Sequence, residues 1–316
     1  MTQDERLVGT PEAPEERRDD RRAFFAAAVG AVAIGAGAFI FSDPVAAQTI
    51  TDADVLNFAL NLEYLQANYY SYASSGAGLG TADTQSGAAT PTPGSAIIAG
   101  HQATFTDPLV AAYAKEMAAD QLAQVRFLRT QLGISAVAQP AIDLGFTATS
   151  AFSVMAQRAG VVGAGAVFDP YASDANFLLG AFFLQDLAVS AYQGLIQLIS
   201  TKAFQEAVCG LMATEGYHAA LVRTTLYQKN LITQAQAISD YRDSIDGGSD
   251  DDQGITPVSS GSGTVANIAP VDGNANTFPR GSGQVLNILF LNRAAVTTGG
   301  FFPGGVNGNI TTSAAS

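Results

Sequence analysis

Four stretches of the chain repeat apolar residues at alternating steps of three and four, the spacing that lays one seam along a helix. The first carries Leu56, Leu60, Ala67 and Tyr70, and the second Val110, Ala114, Met117 and Leu128. The third carries Leu178, Ala181, Ala188, Tyr192 and Leu195, and the fourth Phe204, Val208, Leu211 and Val222. These seams predict helices over 52–74, 107–132, 174–199 and 201–229. Their ends carry matching signals: Thr51 ahead of Asp52 and Asp54, Asp107 ahead of Pro108, and Ser173 ahead of Asp174 suit helix starts. Ser74-Ser75-Gly76 and Leu132-Gly133 suit stops. A Gly-, Thr- and Pro-rich loop to Thr106 joins the first helix to the second. Residues 134–173 join the second to the third, with a short helix near Ser150–Ala159. Only Ser200-Thr201 separates the third from the fourth, so those two are expected to pack as antiparallel neighbours. A shorter helix is expected over Leu231–Ile245.

Each seam is interrupted at mid-height by polar side chains where an apolar one belongs. The first holds Glu63, the second Gln121 and Gln124, the third Gln185, and the fourth Glu215 and His218. The order is one, a pair three apart, one, a pair three apart. Carboxylate-bridged two-metal bundles place their ligands in that order, with Glu at the single positions and Glu-x-x-His at the pairs.

From Asp246 onward the composition turns to Gly, Ser and Asp. Residues 246–316 are expected to form a tail, ordered in parts and lying on the bundle, because their apolar periodicity is too sparse for a separate core. Gln284–Asn292 regains an apolar pattern. Asp250-Asp251-Asp252 reads as a solvated loop, since the spaced ligands of a calcium loop are missing. The single Cys209 rules out an intrachain disulfide, and its place beside the fourth seam suggests a small buried hydrophobe. His101 stands in a loop without a paired Cys or His. No Gly-rich phosphate motif follows a strand, and no serine elbow occurs.

A hydrophobic content of 47% with 14% charged residues excludes wholesale disorder. Residues 1–47 read as a twin-arginine-type export signal. Arg21-Arg22-Ala23-Phe24-Phe25 leads into the apolar run 26–41, and Pro44-Val45-Ala46-Ala47 offers small residues for cleavage. The run is too short to remain as a membrane span. Its removal takes five Arg and eight Asp or Glu from totals of 15 and 28 and leaves a net charge of about −10. An acidic chain of that kind offers nothing to neutralise nucleic acid or an anionic membrane. The expected location is the periplasm or the extracellular space, with a homo-oligomer or an envelope protein as conceivable partner.

DVLNFALNLEYLQANYY, KEMAADQLAQVRFLR, LLGAFFLQDLAVSAYQGLIQLIS and ATEGYHAALVRTTLY resemble the ferritin-like domain family that includes bacterial exported proteins and plant desiccation-related proteins. The closing GGFFPGGVNGNI is similar to that family's ending, and the resemblance spans about residues 50–310. It implies an all-α, ferritin-like antiparallel four-helix bundle over residues 48–245, with long connecting loops and an irregular C-terminal tail over 246–316. Of six ligand positions that the resemblance implies, three match: Glu63, Glu215 and His218. Gln121 and Gln185 stand where the family has Glu, and Gln124 stands where it has His. An amide is a neutral, weak ligand that does not bridge two cations, and two carboxylates leave about two charges unbalanced in a dry core. Glu63 and His218 would also serve different ions.

The expectation is therefore a degenerate site closed by hydrogen bonds, with no cofactor and no catalysis. Such a protein would be structural or stress-protective. The alternative is a metal-dependent oxidase or iron-handling protein using Glu63, Glu215 and His218 with iron or manganese.

Overall fold

Thr51 opens the first long helix of the computed structural model, which describes residues 50–316 apart from 250 and 262. The expected export signal, residues 1–47, lies outside the described residues. In α1 (Asp52–Ser75), Thr51 and Asp54 cap one another reciprocally, and Gly76 ends the helix in the left-handed region at φ 77°. A single turn, α2 (Thr81–Thr84), follows in the loop. Asp107 caps α3 (Pro108–Leu132), accepting from the Leu109 amide. A short helix α4 (Ala151–Arg158) sits in the next connection. Ser173 then caps α5 (Asp174–Ile196), and α6 (Lys202–Gln228), α7 (Ile232–Asp246) and α8 (Ser282–Phe290) complete the helices. All four long helices stand where the seams predict them. The third stops three residues earlier than its pattern, because the Asp52 carboxylate accepts from the amides of Ser200 and Thr201 at 2.8 and 3.0 Å and shapes residues 197–201 as a turn.

The contacts at helix ends fix the topology. The start of α1 meets the end of α3 through Asn57 and the Ser135 carbonyl, and the end of α1 meets the start of α5 through the Tyr69 hydroxyl and the Phe177 carbonyl. Lys229, just past α6, pairs with Asp107 ahead of α3. Each helix is thus antiparallel to both neighbours, and residues 133–173 must run the length of the bundle to return the chain to the start of α5. Close packing runs along α1 with α3 and along α5 with α6, and α1 also meets α5.

The connections cover one side of this bundle only. Asn57, Asn61 and Asn68, polar residues on α1, hook the crossover and the chain end: Asn61 exchanges two hydrogen bonds with Asn307, and Asn68 donates to Gln139 at 2.7 Å. Strands β1 (Ile97–Ile98) and β2 (Ile142–Asp143) pair in parallel, and the Phe301 carbonyl accepts from the Asp143 amide. With these layers over them, α1 is buried at every position from Val55 to Tyr70 and α5 from Phe177 to Ala188. The opposite flank, α3 and α6, keeps an exposed face.

Residues 246–316 pack on α5 and α7 through charge as well as apolar contact. A short hairpin, β3 (Val258–Ser260) with β4 (Gly263–Val265), projects from this segment. Three guanidiniums, Arg223, Arg242 and Arg280, interlock with three carboxylates, Asp186, Asp246 and Asp252, all buried. Arg242 donates to Asp186 and to both oxygens of Asp252, and to the Phe182 carbonyl at 2.8 Å. Charges of three against three explain how such a cluster survives away from water. The segment crosses α5 at Gly194, where a Cβ would lie 1.9 Å from the Arg280 carbonyl oxygen, so no larger residue fits.

Two expectations are corrected here. Asp252 is not in a solvated loop, because Arg242 and Arg280 draw it into the interior. Cys209 is exposed, because the first half of α6 lines the uncovered flank and turns that residue outward.

Candidate functional site

Glu63, Gln121, Gln185 and Glu215 are fully buried, and Gln124 and His218 are 5% exposed. The fold thus brings all six polar positions into the interior, at mid-height between the two helix pairs. Tyr192, on the α5 seam, donates its hydroxyl to Glu63 Oε1. Gln121 Nε2 donates to Glu215 Oε1 at 2.7 Å. His218 Nε2 donates to the Asp120 carboxylate at 3.0 Å, while its Nδ1 faces Gln185 Nε2 at 3.5 Å. The two helix pairs are therefore stitched across the core by amides, a phenol and an imidazole.

Pattern reasoning missed Tyr192 and Asp120. Tyr192 was visible as a polar-tipped member of the third seam. Asp120 precedes Gln121 and points along the outer edge of α3, where only the position of His218 gives it meaning.

The layer is short of donors. Glu63 Oε2, Glu215 Oε2 and the amide oxygens of Gln121, Gln124 and Gln185 have no partner among the described residues. Burial pushes the Glu63 carboxyl well above its usual range, and the charge of Glu215 adds to the effect. Burial likewise drives Glu215 up to about 8, against the pull of the amides of Gln121 and Gln124, with Asp120 raising it further. Burial thus favours the protonated, neutral form of both acids, and a carboxyl proton supplies a donor the layer lacks. The Tyr70 hydroxyl lies in the field of both carboxyls, and burial raises it well above an ordinary phenol.

A group raised when folded stabilises the protein fully below its unfolded value, ordinarily 4.5 for Glu215, and loses that contribution as pH rises through the folded value. The melting temperature is therefore expected to fall between about pH 5 and about pH 9, and Glu215→Gln should flatten that fall. Thermal melts across the range check this; an unchanged slope in the variant would show that Glu215 is not the titrating group.

The donor set does not suit a carboxylate-bridged pair of cations. Two carboxyls and three amides carry half the negative charge that four bridging carboxylates would bring, and neutral amides do not bridge. Among the described residues, no three His, Cys, Asp or Glu side chains group closely enough to hold an ion. One local feature does match a metal-binding imidazole: Asp120 fixes His218 from outside and leaves Nδ1 facing inward.

The family model described as a ferritin-like domain matches residues 51–228, from the cap of α1 to the end of α6. A desiccation-related protein, PCC13-62, of Craterostigma plantagineum is 27% identical over 243 residues, covering 73% of this chain and 74% of the relative. A ferritin-like catalase, Nec2, of Nesocodon mauritianus is 23% identical over 276 residues, covering 82% and 84%. No solved structure gives a significant match to the chain.

Proposed function

The chain belongs to the ferritin-like domain family, and from that premise we propose that its inner layer is a metal-free, hydrogen-bonded core. The protein would then be a non-catalytic one with a structural or protective role outside the cytoplasm. The observation that carries this reading is the donor set. Three of the six inward positions are amides, and the two carboxyls are pushed toward neutrality and already joined to Tyr192 and Gln121. Neutral acids and amides close a polar layer without needing a cation. Export rests on the paired arginines and the apolar run that follows them, and the acidic balance suits a soluble protein that avoids nucleic acid. The name of the desiccation-related relative supports a protective role under stress, with a second copy or an envelope protein as partner.

A second reading has one observation in its favour. His218 is oriented by Asp120 as metal-binding imidazoles are. Glu63, Glu215 and His218 would then hold iron or manganese, and the protein would be a metal-dependent oxidase or iron-handling protein. The name of the ferritin-like catalase adds hydrogen peroxide to the substrates worth assaying.

Elemental analysis of protein taken from its native compartment separates the two, together with melts in added Fe(II) and Mn(II). The first reading expects far less than one ion per chain and a melting temperature that moves by no more than about a degree, since ligand linkage vanishes when metal stays below its dissociation constant. Stoichiometric metal would give the second reading the lead. So would oxygen release from peroxide, or ferrous oxidation, in proportion to the metal present.

A further inference from the structure

The uncovered flank of the bundle carries a groove of about 640 Å3 between α3 and α6, within the size range of small-molecule sites. It exists because the bundle packs as two close pairs, α1 with α3 and α5 with α6, while no layer among the described residues closes the remaining side. Its α3 wall presents Asp120, Gln124 and Phe127, one face of that helix at steps of four and three. Its α6 wall presents Glu206, Ala207, Gly210, Leu211 and Thr214 in the same manner.

The chemistry is graded along the groove. At one end stands Asp120, 43% exposed and steadied by His218. Beside it is the edge of Gln124, whose amide oxygen is turned away from solvent into the buried layer. The middle is apolar, with Phe127 and Leu211 as walls and small residues keeping the bed shallow. At the far end Glu206 is exposed. No Lys or Arg occurs among the residues that line it. Glu206 precedes His218, the partner of Asp120, by twelve residues, roughly 18 Å along the axis.

Two carboxylates at the ends and a methylene-compatible bed between them define a complementary ligand. We infer that this groove binds a linear aliphatic polyamine, with one terminal ammonium at Asp120 and the other at Glu206. An extended tetraamine has the length to reach both carboxylates, and a short diamine does not. A metal ion, as a point charge, would use only one end.

Calorimetric titration of the purified chain with spermine tests the inference, with 1,4-diaminobutane and a lysine-rich peptide alongside. One site per chain is expected, with spermine bound more tightly than either comparison ligand. Asp120→Asn and Glu206→Gln should each weaken it by about two- to fivefold, the range for half-exposed ion pairs. Asp240→Asn, an exposed acid outside the groove, should leave it unchanged and so removes general attraction to an acidic protein as an explanation. Glu206→Gln touches nothing in the buried layer, so it reports on the groove even where Asp120→Asn disturbs His218. Absence of a single site, equal loss in Asp240→Asn, no loss in Glu206→Gln, or tighter binding of the peptide would each overturn the inference.

Discussion

The triple change Gln121→Glu, Gln124→His and Gln185→Glu should lower the stability of the metal-free protein by at least about 3 kcal/mol, because uncompensated carboxylates in a dry core cost several kcal/mol each. Glu63 and Glu215 already occupy the layer with their ionised forms disfavoured, and two further acids must either repel them or take up protons. Iron or manganese should then reverse the loss. Four carboxylates and two imidazoles suit two divalent ions, and linkage returns about 2.7 kcal/mol when free metal exceeds the dissociation constant a hundredfold. Melting curves of parent and variant, with and without metal, provide the check. A parent that gains several degrees with metal, or a variant that gains none, would show that the glutamines are not what distinguishes this layer from a metal centre.

Arg242→Leu is expected to have an effect of similar size for the opposite reason, since it removes a compensating charge instead of adding one. Arg242 is fully buried between Asp186 and Asp252 and spends its remaining donor capacity on carbonyls of α5. Without it, three buried carboxylates face two guanidiniums. Breaking a buried pair in this way costs about 3–5 kcal/mol, which for a domain of this size lowers the melting temperature by roughly 10 °C. The exposed pair of Arg126 with Asp83, in which Arg126 is 60% exposed, provides the contrast: Arg126→Ala should cost less than about 1 kcal/mol. Equal losses in the two variants would refute the view that the buried cluster fastens residues 246–316 to the bundle.

The four helices, their caps and the six polar positions were legible in the chain because each is a local property. A seam needs only neighbours three and four residues apart, and a capping residue acts on amides within its own first turn. Glu63, Gln121, Gln124, Gln185, Glu215 and His218 stood out because each breaks such a seam, and antiparallel helices of similar length bring mid-helix residues to one level. The resemblance to a ferritin-like family rested on the same stretches.

What only the tertiary structure decided involves partners far apart in sequence. Arg223 and Arg242 sit on helices where an arginine ordinarily faces water, and Asp252 sits in a run of acids that reads as a surface loop. They become interior residues because a segment ending near Arg280 folds back over α5 and supplies the opposite charges. Cys209 lies next to an apolar seam yet is exposed, since the crossover and the chain end cover α1 and α5 and leave the start of α6 bare. The groove between α3 and α6 has the same origin. Helical periodicity specifies which face of each helix is apolar, while the covering of a face depends on where chain tens or hundreds of residues away comes to rest, and no short-range pattern encodes that.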